Sequence, residues 1–323
     1  MEIIDVTLRD GGFTCDFDWP LEFAQEYYNL MSGLSVSSME LGYWKQSSKS
    51  SNRFFDLNLE TINEITGGRS LKNTCVMIDY HYCSKNLEDY PTFKQGEVGL
   101  IRMTARKDMI KDAYAFALRL KEYTGLNFAF NIFNTTNYSS HELNKTLDLV
   151  LDSDFDIIGF ADTHGHLDLE KDLDHYDSFF KRIKDNNKKT SFHLHNHTGK
   201  AYLNYLKCKQ SDYIDICDTS IRGLGKGAGN LKLEEVVSLD ESVLLTSFIN
   251  KYYNQLFNKP VNPYYLITGR FGITDNYATQ AIALQFPPET FSDFCQSLNG
   301  VDRDNFNQKL LENYINELLD NRN

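Results

Sequence analysis

Eight short apolar runs recur along the first two-thirds of the chain, and most are followed by a longer segment that can form a helix. The runs are Glu2–Arg9, Ser37–Tyr43, Thr74–Tyr80, Gly99–Met103, Asn127–Phe133, Asp156–Ala161, Ser191–Asn196 and Tyr213–Asp218. They are apolar enough to be buried on both faces, as the strands of parallel sheets are. This alternation predicts an α/β fold, a (β/α)8 TIM barrel. A doubly wound sheet is the alternative, because periodicity alone does not separate the two.

The segments between the runs, and the last third of the chain, carry apolar residues at close to helical spacing. The helices predicted between strands are Leu21–Met31, Asp108–Tyr123, His141–Leu151 and Leu167–Ile183. From about residue 239 the strand pattern stops, and the predicted helices are Glu241–Leu256, Thr274–Leu284, Pro288–Leu298 and Asp302–Leu319. The sequence therefore predicts a barrel over residues 1–238 and a C-terminal helical extension over residues 239–323, lying over or beside the barrel mouth.

The composition narrows the class of function. The 323 residues carry 45 acidic and 33 basic side chains, a formal net charge of −12. Proteins that bind nucleic acid neutralise phosphates with clustered Lys and Arg, so this balance argues against nucleic acid as a partner. No apolar stretch approaches the ~20 residues needed to cross a bilayer. The start lacks the features of a signal peptide, and six scattered cysteines include no CxxC pair, so we expect a cytoplasmic protein with reduced thiols.

The first strand ends in Arg9-Asp10-Gly11-Gly12, at the end of the barrel where catalytic residues lie. Neighbouring strand residues point to opposite faces, so both charges reach one site only if the strand stops at Arg9 and the glycines let the backbone turn. The second strand holds Glu40 inside an apolar run, and a buried carboxylate needs a partner, for which Arg9 is the natural choice. The pair is either a structural ion pair or a device that turns the guanidinium toward a ligand oxyanion.

Strand seven carries His193 and His195, and residues i and i+2 share one strand face. Two inward imidazoles at the catalytic end would be half of a metal site, although two ordinary core histidines give the same pattern. With Asp10 across the barrel, the set becomes two nitrogens and one carboxylate, with open positions for water and substrate. This set favours Mn²⁺ or Mg²⁺, with Zn²⁺, Co²⁺ or Fe²⁺ as alternatives.

The segment 223–230 has four alternating glycines after the last strand. It lacks the GxxxxGK[ST] pattern of a P-loop, so it is either a tight turn that closes the barrel or a substrate-binding loop that includes Gly225 and Gly227. Asn230, at its end, is a candidate to supply an amide oxygen to the metal.

Two further segments supply candidate residues. Strand six is followed by Thr163 and His164, which are candidates to bind substrate and to act as a base. A hydrogen-bonded loop histidine is the alternative for His164. Tyr265, which follows Pro263 in the extension, is a candidate acid.

Together these motifs resemble the DRE-type metallolyase (HMG-CoA lyase-like) superfamily, which includes the 4-hydroxy-2-oxoacid aldolases, HMG-CoA lyase, and the isopropylmalate and homocitrate synthases. The motifs span roughly residues 1–235 in the family's order. They are Asp5-x-Thr7-Leu8-Arg9-Asp10-Gly11, Glu40-Leu41-Gly42, Asp162-Thr163-x-Gly165, His193-x-His195-Asn196 and Gly223-Leu224-Gly225-x-Gly227-x-Gly229-Asn230. The glycine loop is most similar to that of the 4-hydroxy-2-oxovalerate aldolases, because the acyl-CoA synthases usually carry Gly-Glu-Arg there.

The resemblance implies a (β/α)8 barrel and a role for each matched residue. The implied metal ligands are Asp10, His193, His195 and, for the metal or its water in some members, Asn230. Arg9 would stabilise an enolate oxygen, and Glu40 would hold Arg9 in place. The implied activity is that of a divalent-metal-dependent aldolase, which makes or breaks a C–C bond through the enolate of a 2-oxoacid such as pyruvate. The implied acceptor is a small or sugar-derived aldehyde.

The chain departs from those aldolases at one position. They carry a catalytic histidine shortly after the Arg-Asp pair, where this sequence has Phe13, which cannot transfer a proton. The remaining candidates for the base are His81, His164, His197 and Tyr265. The alternative functions are an acyl-CoA-dependent synthase or lyase of the same superfamily, a metal-dependent hydrolase on a similar barrel, and an inactive relative. An exposed apolar face on the C-terminal helices would support a homo-oligomer.

Overall fold

The computed structural model describes residues 1–45, 52–69, 73–90, 98–258 and 260–320. Eight parallel strands close into a barrel in chain order, so the predicted TIM barrel is confirmed and the doubly wound sheet is excluded. The strands are β1 (Glu2–Asp5), β2 (Ser38–Tyr43), β3 (Thr74–Asp79), β4 (Leu100–Ala105), β5 (Asn127–Ile132), β6 (Ile157–Asp162), β7 (Lys189–Leu194) and β8 (Ile216–Thr219).

The described helices surround the barrel and continue into the C-terminal part of the chain. They are α1 (Leu21–Met31), α2 (Leu59–Thr66), α3 (Ile110–Thr124), α4 (Ser140–Val150), α5 (Leu169–Asp185), α6 (Ala201–Cys208), α7 (Leu239–Tyr252), α8 (Tyr264–Phe271), α9 (Asn276–Ala283), α10 (Pro288–Ser297) and α11 (Gln308–Asp320). The sequence did not predict α2, α6 and α8, each of which has eight residues. A run this short is below the length at which helical periodicity is diagnostic.

The first strand is shorter than predicted, which changes the reason why Arg9 and Asp10 reach one site. The strand ends at Asp5, whose carboxylate accepts a hydrogen bond from the backbone N–H of Thr7 at 3.0 Å. The chain then turns, because the N–H of Asp10 donates to the carbonyl of Val6 at 2.8 Å. The prediction of a strand up to Arg9 was therefore wrong. The backbone turns before the two glycines rather than at them.

The last predicted helix also starts later than expected. Helix α11 begins at Gln308 rather than Asp302, after a 3-10 turn at Gly300–Arg303. The side chain of Asp304 accepts a hydrogen bond from Asn137 Nδ2 at 2.6 Å, which holds this segment against the barrel in an irregular conformation.

The interior of the barrel changes from apolar to polar along the strands. A small apolar cluster, separate from the main core, includes Ile4, Cys75, Leu100, Ala129, Ile157 and Ile216 from six strands. Residues two positions further along a strand share the same face. They include Arg102 in β4, Asn131 in β5 and Asp218 in β8, all of them buried. The buried polar side chains thus form a layer nearer the carboxyl ends of the strands than the apolar cluster.

The C-terminal part has two kinds of packing. Leu245, Phe248 and Ile249 of α7 belong to the large apolar cluster that includes the outer faces of the strands. A second apolar cluster contains residues of α9, α10 and α11. Two carboxylates connect this second part to the barrel mouth: Asp275 pairs with Lys226 at 2.7 Å, and Asp304 contacts the loop after β5. The predicted division after residue 238 stays a prediction.

Two further expectations concern cysteines and membranes. All six cysteines are free thiols, and five of them are buried. Within the described ranges, no helix combines the length and apolar character needed to cross a membrane.

Candidate active site

Asp10, His193 and His195 meet at the carboxyl end of the barrel. Each offers one ligand atom, and these atoms all lie within 4.8 Å of one another. The two Nε2 atoms of the histidines are 3.1 Å apart, and Asp10 Oδ2 lies 3.8 Å from His193 Nε2 and 4.0 Å from His195 Nε2. The site forms because His193 lies in β7 and His195 directly follows the end of this strand, while the turn after β1 brings the carboxylate close to both imidazoles.

The ring of His193 is oriented by a buried carboxylate. Asp218, at the end of β8, lies 2.9 Å from Nδ1 of His193. Nδ1 therefore carries the proton, and the lone pair on Nε2 faces Asp10 and His195. Burial lowers the pKa of His195, and the neighbouring His193 lowers it further, so His195 is held as the neutral imidazole that binds metals.

Asp10 is held as a carboxylate. Burial alone would raise its pKa, but Arg9, followed by the two histidines, more than offsets this and brings the pKa below the usual range. Arg9 Nη1 donates to Asp10 Oδ1 at 2.7 Å. Asn230 Nδ2 donates to the other oxygen at 2.7 Å. Each oxygen of this almost fully buried carboxylate therefore accepts a hydrogen bond, which fixes its orientation.

The glycine-rich segment 223–230 is packed against this carboxylate. Asn230 is paired with His195 in an antiparallel bridge. Its amide nitrogen also donates to the carbonyl of Leu224 at 3.0 Å, while its amide oxygen is buried without a hydrogen-bond partner among the described residues. A Cβ at Gly225 would lie 2.5 Å from Asn230 Nδ2 and 2.7 Å from Asp10 Oδ2. Any larger residue at position 225 would collide with these two side chains, so the packing requires glycine there.

A chain of buried ion pairs lies beneath the triad. Arg9 Nε donates to Glu40 Oε2 at 2.5 Å, so the expected partner of Glu40 is present. The other oxygen of Glu40 accepts from Arg102 at 3.1 Å, and Arg102 donates onward to Asp218 at 2.6 Å. The chain therefore connects Asp10 to His193 through alternating charges.

The carboxylates and guanidinium groups of this network are unequal in number. It contains three carboxylates, from Asp10, Glu40 and Asp218, but only two guanidinium groups, from Arg9 and Arg102. An unpaired buried negative charge is costly. Two imidazoles and one carboxylate converge at the place where this network meets the cavity. The donor set and the charge both fit a divalent metal ion.

A cavity of about 300 Å³ opens above the triad. Its polar lining includes Arg9, Asp10, Thr163, His193 and His195, which are five of the residues predicted from the sequence. Aromatic rings form much of the opposite wall; they come from Phe13, Tyr43, Phe55, Tyr82 and Phe133. Phe13 is 39% exposed and makes edge contacts with Phe17 and Tyr43.

The other six predicted site residues do not line this cavity: Glu40, Asn230 and Gly225, which are described above, and His164, Tyr265 and Gly227. His164 is buried with Nε2 3.4 Å from Asp304, and the Tyr265 hydroxyl lies 3.3 Å from Thr279. A Cβ at Gly227 would lie 2.4 Å from His197, so this glycine packs against a histidine rather than against the triad. Their catalytic and binding roles stay predictions.

The two remaining base candidates differ in their surroundings. His81 is exposed, with Nδ1 3.5 Å from the sulfur of Met109. His197 is buried, and burial lowers its pKa to about 4, with Asp275 opposing the shift. Neither lines the cavity, as far as the described residues show.

The sequence analysis missed Arg102, Asp218 and Lys45. Arg102 and Asp218 are each a charged residue inside an apolar strand, the same signal that had drawn attention to Glu40. Applying it to β4 and β8 would have found the first two. Lys45 is buried in the cavity wall, two residues beyond β2.

Comparison with known proteins agrees with the barrel fold. Residues 100–250 match the family model described as HMGL-like. The 2-isopropylmalate synthase of Clostridium kluyveri is 34% identical over 100 residues, which cover 29% of this chain and 18% of the synthase. That of Rhodopseudomonas palustris is 26% identical over 258 residues, which cover 73% of this chain and 46% of the synthase. The chain thus matches less than half the length of these curated relatives.

Solved structures share the architecture. The N-terminal domain of a Bacteroides vulgatus protein assigned as an aldolase superimposes with a TM-score of 0.72 at 19% identity, covering 92% of this chain and 100% of that one. HMG-CoA lyase from Bacillus subtilis gives 0.63 at 14% identity, covering 82% and 96%. The carboxyl transferase domain of Rhizobium etli pyruvate carboxylase gives 0.67 at 15% identity, covering 91% and 56%. At these identities the likeness concerns the fold.

Proposed function

We propose that this chain, whose residues 100–250 match the HMGL-like family model, is a divalent-metal-dependent aldolase or lyase. In this proposal it makes or breaks a C–C bond through the enolate of a 2-oxoacid such as pyruvate. The acceptor is a small or sugar-derived aldehyde. The relatives supply the reaction class: an aldolase, a lyase, a synthase and a pyruvate carboxylase domain all occur among them.

The observation that carries the proposal is the triad of Asp10, His193 and His195 at the floor of a cavity that also contains Arg9. Asp10, His193 and His195 would hold a metal ion, which would supply Lewis-acid polarisation of the ketone of the 2-oxoacid. Mn²⁺ or Mg²⁺ is the proposed ion, with Zn²⁺, Co²⁺ or Fe²⁺ as alternatives, because a carboxylate and two imidazoles accept all of them. Asn230 is proposed to fix the Asp10 carboxylate and to add its amide oxygen to the metal or its water.

Arg9 is proposed to stabilise the negative charge that develops on the substrate. Its guanidinium is fixed by Glu40 on one side and Asp10 on the other, so it does not reorganise during the reaction. Burial opposes the charged form of Arg9, but Glu40 and Asp10 outweigh this and keep its pKa above the usual range. Arg9 therefore stays positively charged across the working pH range and would face the enolate oxygen in this state.

Thr163 is proposed to bind substrate on the side of the cavity formed by β6. Its hydroxyl oxygen accepts a hydrogen bond from the backbone N–H of Asn134 at 3.0 Å. This contact leaves the hydroxyl proton of Thr163 to donate to a carbonyl or carboxylate oxygen.

The test is exchange of the methyl protons of pyruvate for deuterium, followed by NMR after the metal has been removed with a chelator. We expect exchange by the wild-type chain with Mg²⁺ or Mn²⁺ and none without a divalent metal. The Asp10→Ala variant should lose exchange, whereas Asp174→Ala, which removes an exposed carboxylate of α5, should retain it. No exchange by the wild type with any of the five metals, or equal exchange by Asp10→Ala, would contradict the proposal.

An acyl-CoA-dependent synthase is the second candidate, because both curated relatives are 2-isopropylmalate synthases. It predicts release of a free thiol from acetyl-CoA when a 2-oxoacid is present, which a thiol reagent detects. The two candidates share the metal and Arg9, so the presence or absence of thiol release separates them.

A further inference from the structure

We propose that Lys45 is the group that transfers a proton to and from the acceptor oxygen in this cavity. The proposal rests on the proposed aldolase function and adds the component that the sequence leaves unexplained. Phe13 occupies the position at which a histidine was expected, and a phenyl ring cannot accept a proton. The reaction nevertheless requires a base for the hydroxyl of the bond-breaking carbon.

Lys45 is placed in the cavity wall by fixed backbone contacts. Its N–H donates to Asp56 Oδ1 at 3.3 Å, and its carbonyl accepts from the N–H of Ser84 at 2.9 Å. The residue is only 3% exposed, yet it lines the same cavity as Arg9 and His193. Its amine is thus directed into the cavity rather than into bulk water.

Three aromatic rings surround the amine. Nζ lies 3.2 Å from the centroid of Phe55, 4.8 Å from that of Tyr43 and 4.9 Å from that of Tyr82. The same Tyr43 ring faces Arg9, whose Cζ is 5.7 Å from the centroid. Ring faces stabilise a cation but do not replace its hydration shell, so this surrounding brings the two protonation states closer in free energy.

The amine titrates near neutral pH. Burial lowers the pKa of Lys45 to about 8, while Asp79 and Asp56 oppose the shift. With that pKa, roughly one amine in ten is neutral at pH 7, so the group both accepts and donates protons. Among the described residues, the titratable or charged groups that face Nζ are Asp79 at the end of β3, Asp56, Tyr43, Tyr82 and, across Tyr43, Arg9.

Several of the other titratable groups in the lining have different tasks. Arg9 and Arg102 are held protonated by their carboxylates. The phenol of Tyr43 has a pKa raised by burial, and Lys226 pairs with Asp275 at 2.7 Å. Asp10, His193, His195 and Asp218 belong to the metal-binding set.

In cleavage, neutral Nζ takes the hydroxyl proton, and the O–H electron pair becomes the second C–O bond of the aldehyde. The adjacent C–C bond breaks, and its electron pair stays on the 2-oxoacid fragment as the enolate, beside Arg9. The products are an aldehyde, an enolate and the Lys45 ammonium, whose charge Phe55, Tyr43 and Tyr82 stabilise. In condensation the ammonium returns the proton to the new alkoxide.

One test measures the amine without any enzyme activity. The full chain is labelled with a trace of acetic anhydride over a range of pH, and the labelling of Lys45 is followed by mass spectrometry against Nα-acetyl-lysine. We expect a midpoint at about pH 8 for Lys45. The free compound should titrate near ~10.4. A midpoint close to that of the free compound, or no labelling, would overturn the proposal.

A second test uses Lys45→Met, which keeps the length of the side chain, and Lys45→Arg, which keeps the charge but cannot release the proton. We expect both to lower cleavage of a 4-hydroxy-2-oxoacid by at least about 100-fold. Metal affinity should stay within about twofold, because Lys45 contacts none of the triad. Lys209→Met is the control, since this exposed lysine also lies over a ring, that of Tyr205, at 5.8 Å.

The possible results distinguish a failure of the role proposed for Lys45 from a failure of the proposed aldolase function. If the wild type exchanges pyruvate protons and cleaves substrate but Lys45→Met and Lys45→Arg do so equally well, Lys45 is not the base and the aldolase proposal stands. If the wild type does neither with any metal, the aldolase proposal fails, and with it the role of Lys45. A pH profile of cleavage should rise with a midpoint near 8 in the wild type and lose this rise in Lys45→Arg.

Discussion

The carboxylate of Asp218 lies 2.9 Å from Nδ1 of His193 and also accepts a hydrogen bond from Arg102 at 2.6 Å. Burial would raise the pKa of Asp218, but Arg102 and His193 outweigh it and lower the pKa to about 2. Asp218 therefore stays ionised and fixes the tautomer of His193. Residues that hold metal ligands in this way contribute strongly to affinity.

The first prediction is that Asp218→Asn weakens binding of Mn²⁺ by about 10- to 100-fold, because an amide orients the imidazole less well than a carboxylate. Isothermal titration calorimetry measures this directly. The control is Asp215→Asn, which lies three residues earlier and bonds to Lys184 and Thr190 rather than to a predicted ligand. Equal affinity of both variants would show that Asp218 does not orient the ligand.

The second prediction concerns Glu40, which is shared by Arg9 and Arg102. Glu40→Gln replaces one of the two accepting oxygens by an amide nitrogen, which cannot accept a hydrogen bond from a buried guanidinium group, so we expect the free energy of unfolding to fall by about 3–5 kcal/mol. Exchange of pyruvate protons should fall too, because Arg9 is no longer fixed. Urea unfolding measures the first effect.

The matched control for Glu40 is Glu64→Gln. Glu64 pairs with Arg53 at the same distance, 2.5 Å, but both side chains are well exposed. An exposed pair contributes about 0–1 kcal/mol, so this variant should unfold almost as the wild type does. A Glu40→Gln variant as stable as Glu64→Gln would contradict the view that the network requires this carboxylate.

The barrel and part of the candidate site could be predicted from the sequence, and the physical reason is different for each. Eight buried strands leave a strong pattern, because both faces of a parallel strand are apolar. Arg9-Asp10 and His193-x-His195 are local in sequence, so spacing alone brings each pair together. The end of β1 was wrong because the turn depends on side-chain and backbone hydrogen bonds at Asp5 and Asp10 that no periodicity records.

The groups that the sequence did not reveal act across long separations. Arg102 is 62 residues from Glu40 and 116 from Asp218, so the two ion pairs exist only once the barrel has closed. Lys45 follows a tryptophan and gives no local signal of its own. The role proposed for it depends on Phe55, Tyr82 and Asp79, which other segments of the chain supply.

The third prediction uses the space at Gly225. Its φ is not in the left-handed region, so alanine adds no backbone strain, but the new Cβ would lie 2.7 Å from Asp10 Oδ2. Displacing this carboxylate should weaken Mn²⁺ binding at least about tenfold. Gly33→Ala is the control, because its Cβ would lie 3.5 Å from the carbonyl oxygen of Leu30, an ordinary contact. Metal binding by both variants at wild-type strength would rule out a spatial requirement at residue 225.

The fourth prediction is a dependence of stability on pH that arises from Asp162, at the end of β6. Burial raises the pKa of this carboxyl to about 7, although the backbone N–H groups of His166 and Leu167 oppose the shift. The folded-state pKa is thus above the unfolded value of about 3.8. Asp162 therefore favours folding below the unfolded pKa, and this contribution is lost as the pH rises through the folded pKa.

Over the interval from pH 4 to pH 8 the loss amounts to about 4 kcal/mol, since one pKa unit corresponds to about 1.4 kcal/mol. Asp162→Asn cannot ionise and should lack this slope, although it is less stable than the wild type at low pH because an amide nitrogen faces one of the two backbone N–H groups. Urea unfolding of both chains at each pH gives the difference in free energy. That difference should shrink steadily from pH 4 to pH 7 and level off above pH 8. A constant difference would mean that Asp162 is ionised throughout, with its charge stabilised by the two N–H groups.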